Sequence, residues 1–177
     1  TMGKNGVNIR AIAQGSSEKN ISAVISTKDV RKSINVLHEE FFETTYKQVN
    51  LFIIGTGNVG AKLLGQMQQQ LVFLQQQLRL QLRIAGLSNS RKMIFNEEGV
   101  NPAQWKELLD QGSPADLQKF VDEIISRNLR NSIFVDITAN DKVASVYDQL
   151  LQKSISVVAC NKVAASSAYS NYKKLKD

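Results

Sequence analysis

Only one of the 177 residues is a cysteine, Cys160. An intrachain disulfide is therefore excluded, as is a metal site built from cysteines, and no metal is expected. The single histidine, His38, lies in a different segment from Cys160, so a Cys–His nucleophile pair is not indicated; Cys160 reads as a small buried apolar residue. No apolar run reaches the length of a membrane span, because Arg or Gln interrupts every candidate, and no membrane partner is expected. The opening "TMGKNG" lacks the apolar core of a secretory signal. A cytoplasmic protein is the expectation. Lys and Arg outnumber the acids to give a formal net charge of +6, yet they are scattered rather than interleaved with aromatics. Their densest group, "NYKKLKD", reads as a helix end. Nucleic-acid binding is not expected, although a mild basic excess can steer anionic ligands.

What is present is 42% hydrophobic residues, enough for a real core. Residues 7–13, "VNIRAIA", alternate as a half-buried strand, with Val7, Ile9, Ala11 and Ala13 on one face. "NISAVIS", residues 20–26, alternates again, and the intervening "QGSSEK" carries turn chemistry in Gly15, Ser16 and Ser17. "KDVRKSINVLHEEFF" sets Val30, Ile34, Leu37 and Phe41 at helical spacing. Thr1–Glu43 thus reads strand, strand, helix, too little to close a two-layer domain. Its exposed apolar face and unpaired edges predict self-association. "ETTYKQ" reads as a polar connector.

Beyond it the pattern changes to strand–helix alternation. "VNLFIIG" is apolar throughout, as strands covered on both faces are. A long helix follows from Asn58, with Val59, Leu63, Met67, Leu71, Leu74 and Leu78 as its stripe and glutamines on its solvated faces. "LRIAGLSNS" is a second strand, and "MIFNEEG" suggests a short strand and turn. "NPAQWKELLDQG" reads as a helix. "SPADLQKFVDEIISRN" reads as another, with Ser113 at the N-cap and Pro114 at the first helical position. "SIFVDIT" is a third strand. "NDKVASVYDQLLQKS" is a helix with Val143, Val146, Leu150 and Leu151 inward. "ISVVACN" is a fourth strand, and "SSAYSNYKKLKD" a final helix. The alternation predicts an α/β, Rossmann-like parallel sheet with helices on both faces.

Gly55-Thr56-Gly57-Asn58-Val59-Gly60 satisfies G-x-G-x-x-G between a buried strand and a helix. The first glycine permits the turn, the second admits a pyrophosphate, and the third lets helix and strand pack closely. Free amides at the helix start complete an anion site. The alternative is a packing turn without a ligand. At the tip of the second strand, where NAD enzymes place an acid for the ribose hydroxyls, this chain has Ser88-Asn89-Ser90-Arg91-Lys92. Arg91 can pair with a 2′-phosphate as a fork, so NADP is favoured over NAD; the plainer reading is two solvated charges. The missing acid also argues against S-adenosylmethionine. Thr138-Ala139-Asn140 ends the third strand at the same sheet edge. Asp136 reads as a local cap. Lys162, just past the fourth strand, is placed to reach a carbonyl or alcohol oxygen or a cofactor phosphate.

Together "VNLFIIGTGNVGAKLL", "LRIAGLSNSRKM", "FVDITAN" and "VVACNKVAASS" resemble the cofactor domain of homoserine dehydrogenases. "GVNIRAIAQGSSEKNISAVIS" resembles the last ACT repeat, a ferredoxin-like α+β module, of aspartate kinases. Their order resembles that of bifunctional aspartate kinase–homoserine dehydrogenases. The resemblance divides the chain into a partial ACT segment and linker, 1–48, and an NAD(P)-binding domain, 49–177. It implies hydride transfer between NAD(P)H and aspartate 4-semialdehyde, giving L-homoserine, on the route to threonine and methionine. It also implies that Gly55, Thr56, Gly57, Asn58, Val59 and Gly60 hold the pyrophosphate. Ser88 and Arg91 would lie near the adenosine ribose, and Thr138 and Ala139 near the nicotinamide half. Lys162 would contact cofactor and substrate and assist proton transfer. Asn8, Ile9 and Gln14 match positions where related repeats bind an effector, here threonine. A homo-oligomer is expected. Because the kinase domain, most of the ACT pair and the substrate domain of that family are not in these residues, nucleotide binding without turnover is the expectation. The alternative is an ACT regulatory module that transmits threonine inhibition.

Overall fold

A computed structural model describes residues 2–15, 20–41 and 46–176. The chain divides into two compact units, Thr1–Thr45 and Tyr46–Asp177. In the first, strand β1 (Ile9–Gln14) pairs antiparallel with β2 (Ile21–Ile25), and helix α1 spans Val30–Phe41. The turn expected at Ser16 and Ser17 lies outside the described residues, as do residues 43–45 of the expected connector.

Helix α1 forms where its spacing predicts, but the apolar stripe is not its covered face. Val30, Ile34, Leu37 and Phe41 are exposed, while Lys32, Ser33 and Val36 are buried. Burial lowers the pKa of the Lys32 ammonium, with Asp29 opposing that shift. Ile12, Ile21 and Val24 on the two strands are exposed as well. The described part of this unit covers one side of the helix and leaves the apolar side open.

The second unit is built on a six-stranded sheet in the order β6-β5-β4-β3-β7-β8. Its strands are β3 (Lys47–Ile54), β4 (Leu80–Ser88), β5 (Lys92–Phe95), β6 (Ser113–Pro114), β7 (Ser132–Asp136) and β8 (Ser156–Ala159). Strands β4, β3, β7 and β8 run parallel, and β5 and β6 add an antiparallel edge. The sheet is therefore mostly parallel, as expected, with a mixed edge. Lys47 and Gln48, read as connector, belong to β3 and pair with Leu80 and Gln81.

Alternation along β3 divides the core. Phe52 and Ile54 face one side with Phe120, Ile124, Phe134 and Leu150. Leu51 and Ile53 face the other with Leu64, Met67, Ile84 and Leu109. Helices α2 (Asn58–Leu78) and α3 (Trp105–Asp110) cover the second side, and α4 (Leu117–Arg127) with α6 (Tyr147–Leu151) the first. The covered stripe of α2 is Gly60, Leu64 and Met67. Of the expected stripe, Met67 is buried, Leu63 packs against the core, and Leu71 and Leu74 are half-buried, while Val59 and Leu78 at its two ends are exposed.

Three local expectations need correction. Ser113 and Pro114 do not start a helix; they pair with Met93 and Lys92. The N-cap of α4 is Asp116, whose side chain accepts from the Lys119 amide at 2.9 Å. The helix expected over 140–154 is two short ones, α5 (Asp141–Ala144) and α6, with Val143, Val146 and Leu150 buried and Leu151 exposed. After β8, α7 (Val163–Ser166) precedes α8 (Tyr169–Lys176). Cys160 is exposed rather than buried, because β8 is the last strand in the sheet order and has one neighbour.

Candidate nucleotide-binding site

The parallel strands end level. The Gly55 amide donates to the Ser88 carbonyl, Ile137 to the Ile54 carbonyl, and Cys160 to the Asp136 carbonyl. β3 has β4 on one side and β7 on the other, so chain connections diverge beyond its C-terminal end. Open α/β sheets form their ligand crevice at such a point.

The three glycines of the turn have different reasons to be glycine. Gly55 has φ +100°, and a methyl group there would come within 2.7 Å of the Ile137 carbonyl oxygen. A methyl at Gly60 would overlap the Gly55 carbonyl. Both positions are dictated by packing. Gly57 is unlike them: it has φ −68°, and a methyl there would meet no atom within 4 Å. Nothing in the fold forbids a side chain at residue 57. Gly57 is also the N-cap of α2 and offers no side chain to the first amides of that helix. Those amides have no intrahelical partners.

Above this turn lies a cleft of ≈ 440 Å³. Its floor is Ile54–Gly57, and its walls come from Ser88–Ser90, Ala115–Leu117, Ile137, Thr138, Asn140, Lys142 and Val143. A cleft of this size falls in the range of small-molecule sites. The Asn89 side chain accepts from the Arg91 and Lys92 amides, each at 2.7 Å, and so holds the tip of the β4–β5 hairpin.

Asp136 shapes the opposite wall. It is fully buried. Its Oδ1 accepts from the Thr138 amide at 2.8 Å, and its Oδ2 accepts from the Tyr147 hydroxyl and from Asn161 Nδ2. Asn161 Nδ2 also donates to the Asn140 carbonyl at 3.0 Å. One carboxylate thus joins the ends of β7 and β8 to α6. The local cap expected at Asp136 is present in the Thr138 bond and is the smaller part of its role.

Burial, followed by the Asp136 hydrogen bond, raises the Tyr147 pKa above its ordinary 10.0. A raised acid pKa means that the folded state keeps its proton longer, so this stabilisation is complete below pH 10.0 and falls as pH rises beyond it. In urea unfolding, the stability gap between wild type and Tyr147→Phe is expected to narrow above pH 10.0. A gap independent of pH would contradict that assignment.

Of the residues singled out in the sequence, Gly55, Thr56, Gly57, Ser88 and Thr138 line the cleft. Asn58 and Val59 are exposed on the first turn of α2, and Gly60 is buried beneath it. Arg91, Ala139 and Lys162 lie outside the lining and are exposed. Lys162 follows Asn161 directly and is the N-cap of α7. Lys142 and Asp116 line the cleft without having been expected there. Lys142 lies two residues past the quoted Thr138-Ala139-Asn140 and was within reach of sequence reasoning; Asp116 lies in the segment read as a helix from Ser113. Asn8 and Gln14 are exposed, and Ile9 is partly so, at the two ends of β1 in the other unit.

The family described as "Homoserine dehydrogenase, NAD binding domain" matches residues 55–177. The chain belongs to the homoserine dehydrogenase family. Residues 1–41 match the family described as "ACT domain". Among curated relatives, the Arabidopsis thaliana bifunctional aspartokinase/homoserine dehydrogenase 2, chloroplastic, is 37% identical over 99% of this chain and 19% of its own length. The Haemophilus influenzae bifunctional aspartokinase/homoserine dehydrogenase is 32% identical over 96% of this chain and 21% of its own. The chain therefore spans about a fifth of the length of these homoserine dehydrogenase relatives. A hyperthermophilic archaeal homoserine dehydrogenase solved with NADPH superposes with a TM-score of 0.59 at 21% identity, covering 73% of this chain and 41% of that one. A Candida auris protein of unknown function gives 0.62 at 24%, covering 73% and 35%. At these identities the superpositions establish the fold.

Proposed function

We propose that residues 49–177 are the cofactor-binding portion of a homoserine dehydrogenase acting between aspartate 4-semialdehyde and L-homoserine, with residues 1–48 as a partial ACT segment and linker. The observation that carries this reading is the empty space over Gly57, which packing does not require and a diphosphate would use. Gly55, Thr56, Gly57 and the amides of Asn58, Val59 and Gly60 would hold the pyrophosphate. Ser88 and Arg91 would take the adenosine ribose, with the Arg91 guanidinium favouring NADP. Thr138 and Ala139 would face the nicotinamide half, on a loop braced by Asp136 and Asn161. When bound, the nicotinamide ring supplies the hydride donor or acceptor. Lys162, on the same sheet edge and anchored through Asn161, would hold or move a proton at the substrate oxygen. Binding is tested by fluorescence titration of NADPH into wild type, Gly57→Asp and Gln14→Ala. Saturable binding lost only in Gly57→Asp supports the reading; no saturable binding to wild type refutes it.

A second reading concerns the separate N-terminal unit. Its match to the ACT domain favours an amino-acid site at Asn8, Ile9 and Gln14 that transmits threonine inhibition. Threonine binding lost in Gln14→Ala and kept in Gly57→Asp is its signature. The exposed Ile12, Ile21, Ile34 and Phe41 support a homo-oligomer through this unit. Light scattering across a dilution series should show a concentration-dependent mass that Ile34→Glu reduces; a monomer at all concentrations would exclude it. No described helix is long and apolar enough to cross a membrane. The exposed Cys160 suits a reducing compartment such as the cytoplasm, and several relatives are named as chloroplastic.

A further inference from the structure

The tip of β4 has no acid in sequence, yet the cleft wall beside it carries one. Asp116 and Lys142 are the ionisable residues lining the cleft among the described residues. Asp116 arrives there by strand pairing. β6 sets Pro114 opposite Lys92, and the Ala115 amide donates to the Arg91 carbonyl at 2.9 Å. The same antiparallel register, continued one step, brings Asp116 level with Ser90, and both residues line the cleft. The carboxylate is held rather than floppy. Its Oδ1 accepts from the Lys119 amide as the N-cap of α4, while Oδ2 accepts nothing among the described residues.

We propose that Asp116 accepts the adenosine ribose hydroxyls, and that this carboxylate keeps NAD(H) usable in a site where Arg91 favours a 2′-phosphate. The assignment rests on the nucleotide reading of the cleft given above. A ribose with free hydroxyls donates to a carboxylate through charge-assisted bonds. A 2′-phosphate at the same place has no proton to give and meets a like charge. Arg91 directly precedes β5, and Asp116 follows β6 by two residues on the chain segment beside it, so each would answer one form of the cofactor. The pair then sets a preference rather than an exclusion.

The test is a titration of NADH and NADPH into the 177-residue chain and its Asp116→Asn, Asp116→Ser and Arg91→Ala variants. Asn and Ser cap helices as well as Asp does, so α4 and the unfolding midpoint should be preserved. Both Asp116 variants are expected to lose about tenfold in NADH affinity while NADPH binding strengthens. Arg91→Ala should move the ratio in the opposite sense. Equal changes for the two nucleotides, or none, overturn the role of Asp116 and leave the cleft reading standing. A wild-type chain that binds neither nucleotide overturns the cleft reading and this assignment with it.

Discussion

Gly57→Asp is expected to weaken NADPH binding at least ~100-fold without lowering the unfolding temperature. The separation of the two effects follows from geometry. Residue 57 has an ordinary φ of −68° and open space around its α-carbon, so any side chain fits. Aspartate is moreover a favoured N-cap, and its charge complements the positive end of α2. The folded chain should be as stable as wild type or slightly more so. The same carboxylate would occupy the anion's place and repel it. Gly60→Ala is the contrasting variant: its methyl overlaps the Gly55 carbonyl, so it should lose stability as well as binding. Isothermal calorimetry with differential scanning calorimetry on both variants reads this directly. Near-normal NADPH affinity in a folded Gly57→Asp protein would remove the ground for a pyrophosphate site.

Asp136→Ala should cost about 3–5 kcal/mol, the largest stability loss expected of any single site-wall residue. The substitution leaves the Tyr147 hydroxyl and one bond of Asn161 without their buried acceptor, and it releases the Thr138 amide. Each unsatisfied buried donor costs about 1–3 kcal/mol. For a unit of this size the loss corresponds to a drop of roughly 10–20 °C in unfolding temperature. Asp136→Asn, which keeps the shape and one acceptor oxygen, should fall between. Nucleotide affinity should decline with Asp136→Ala even below its unfolding temperature, because the loop from Thr138 to Asn140 loses its brace. A midpoint within about 2 °C of wild type would show that the network carries little energy.

The strand–glycine–helix unit was legible in the sequence because its signals are local. An apolar run too short for a helix, a triplet of spaced glycines and a following 3.6-residue pattern need no distant partner to be read. Ser113-Pro114 shows where such reading fails. Ser-Pro before an apolar stripe is a good helix start in isolation, and only the free edge of β5 draws it into a strand. The stripe of α1 failed, and that of α2 held in its middle but not at Val59 and Leu78, for a related reason. Periodicity reveals that a helix is amphipathic, but which residues are buried, such as Gly60 against Gly55 and Leu64 in the core, depends on what the fold sets against it. Cys160 was misread because hydrophobicity says nothing about whether a strand ends up at the edge.

By itself, then, the sequence determined the α/β alternation, the division into two unlike segments and the place of the glycine turn, all consequences of short-range chemistry. The distinct duties of the three glycines, the bracing of the crevice by Asp136 and the arrival of Asp116 beside Ser90 were decided only in three dimensions. Each depends on which strands become neighbours, and strand pairing joins residues by register rather than by distance along the chain.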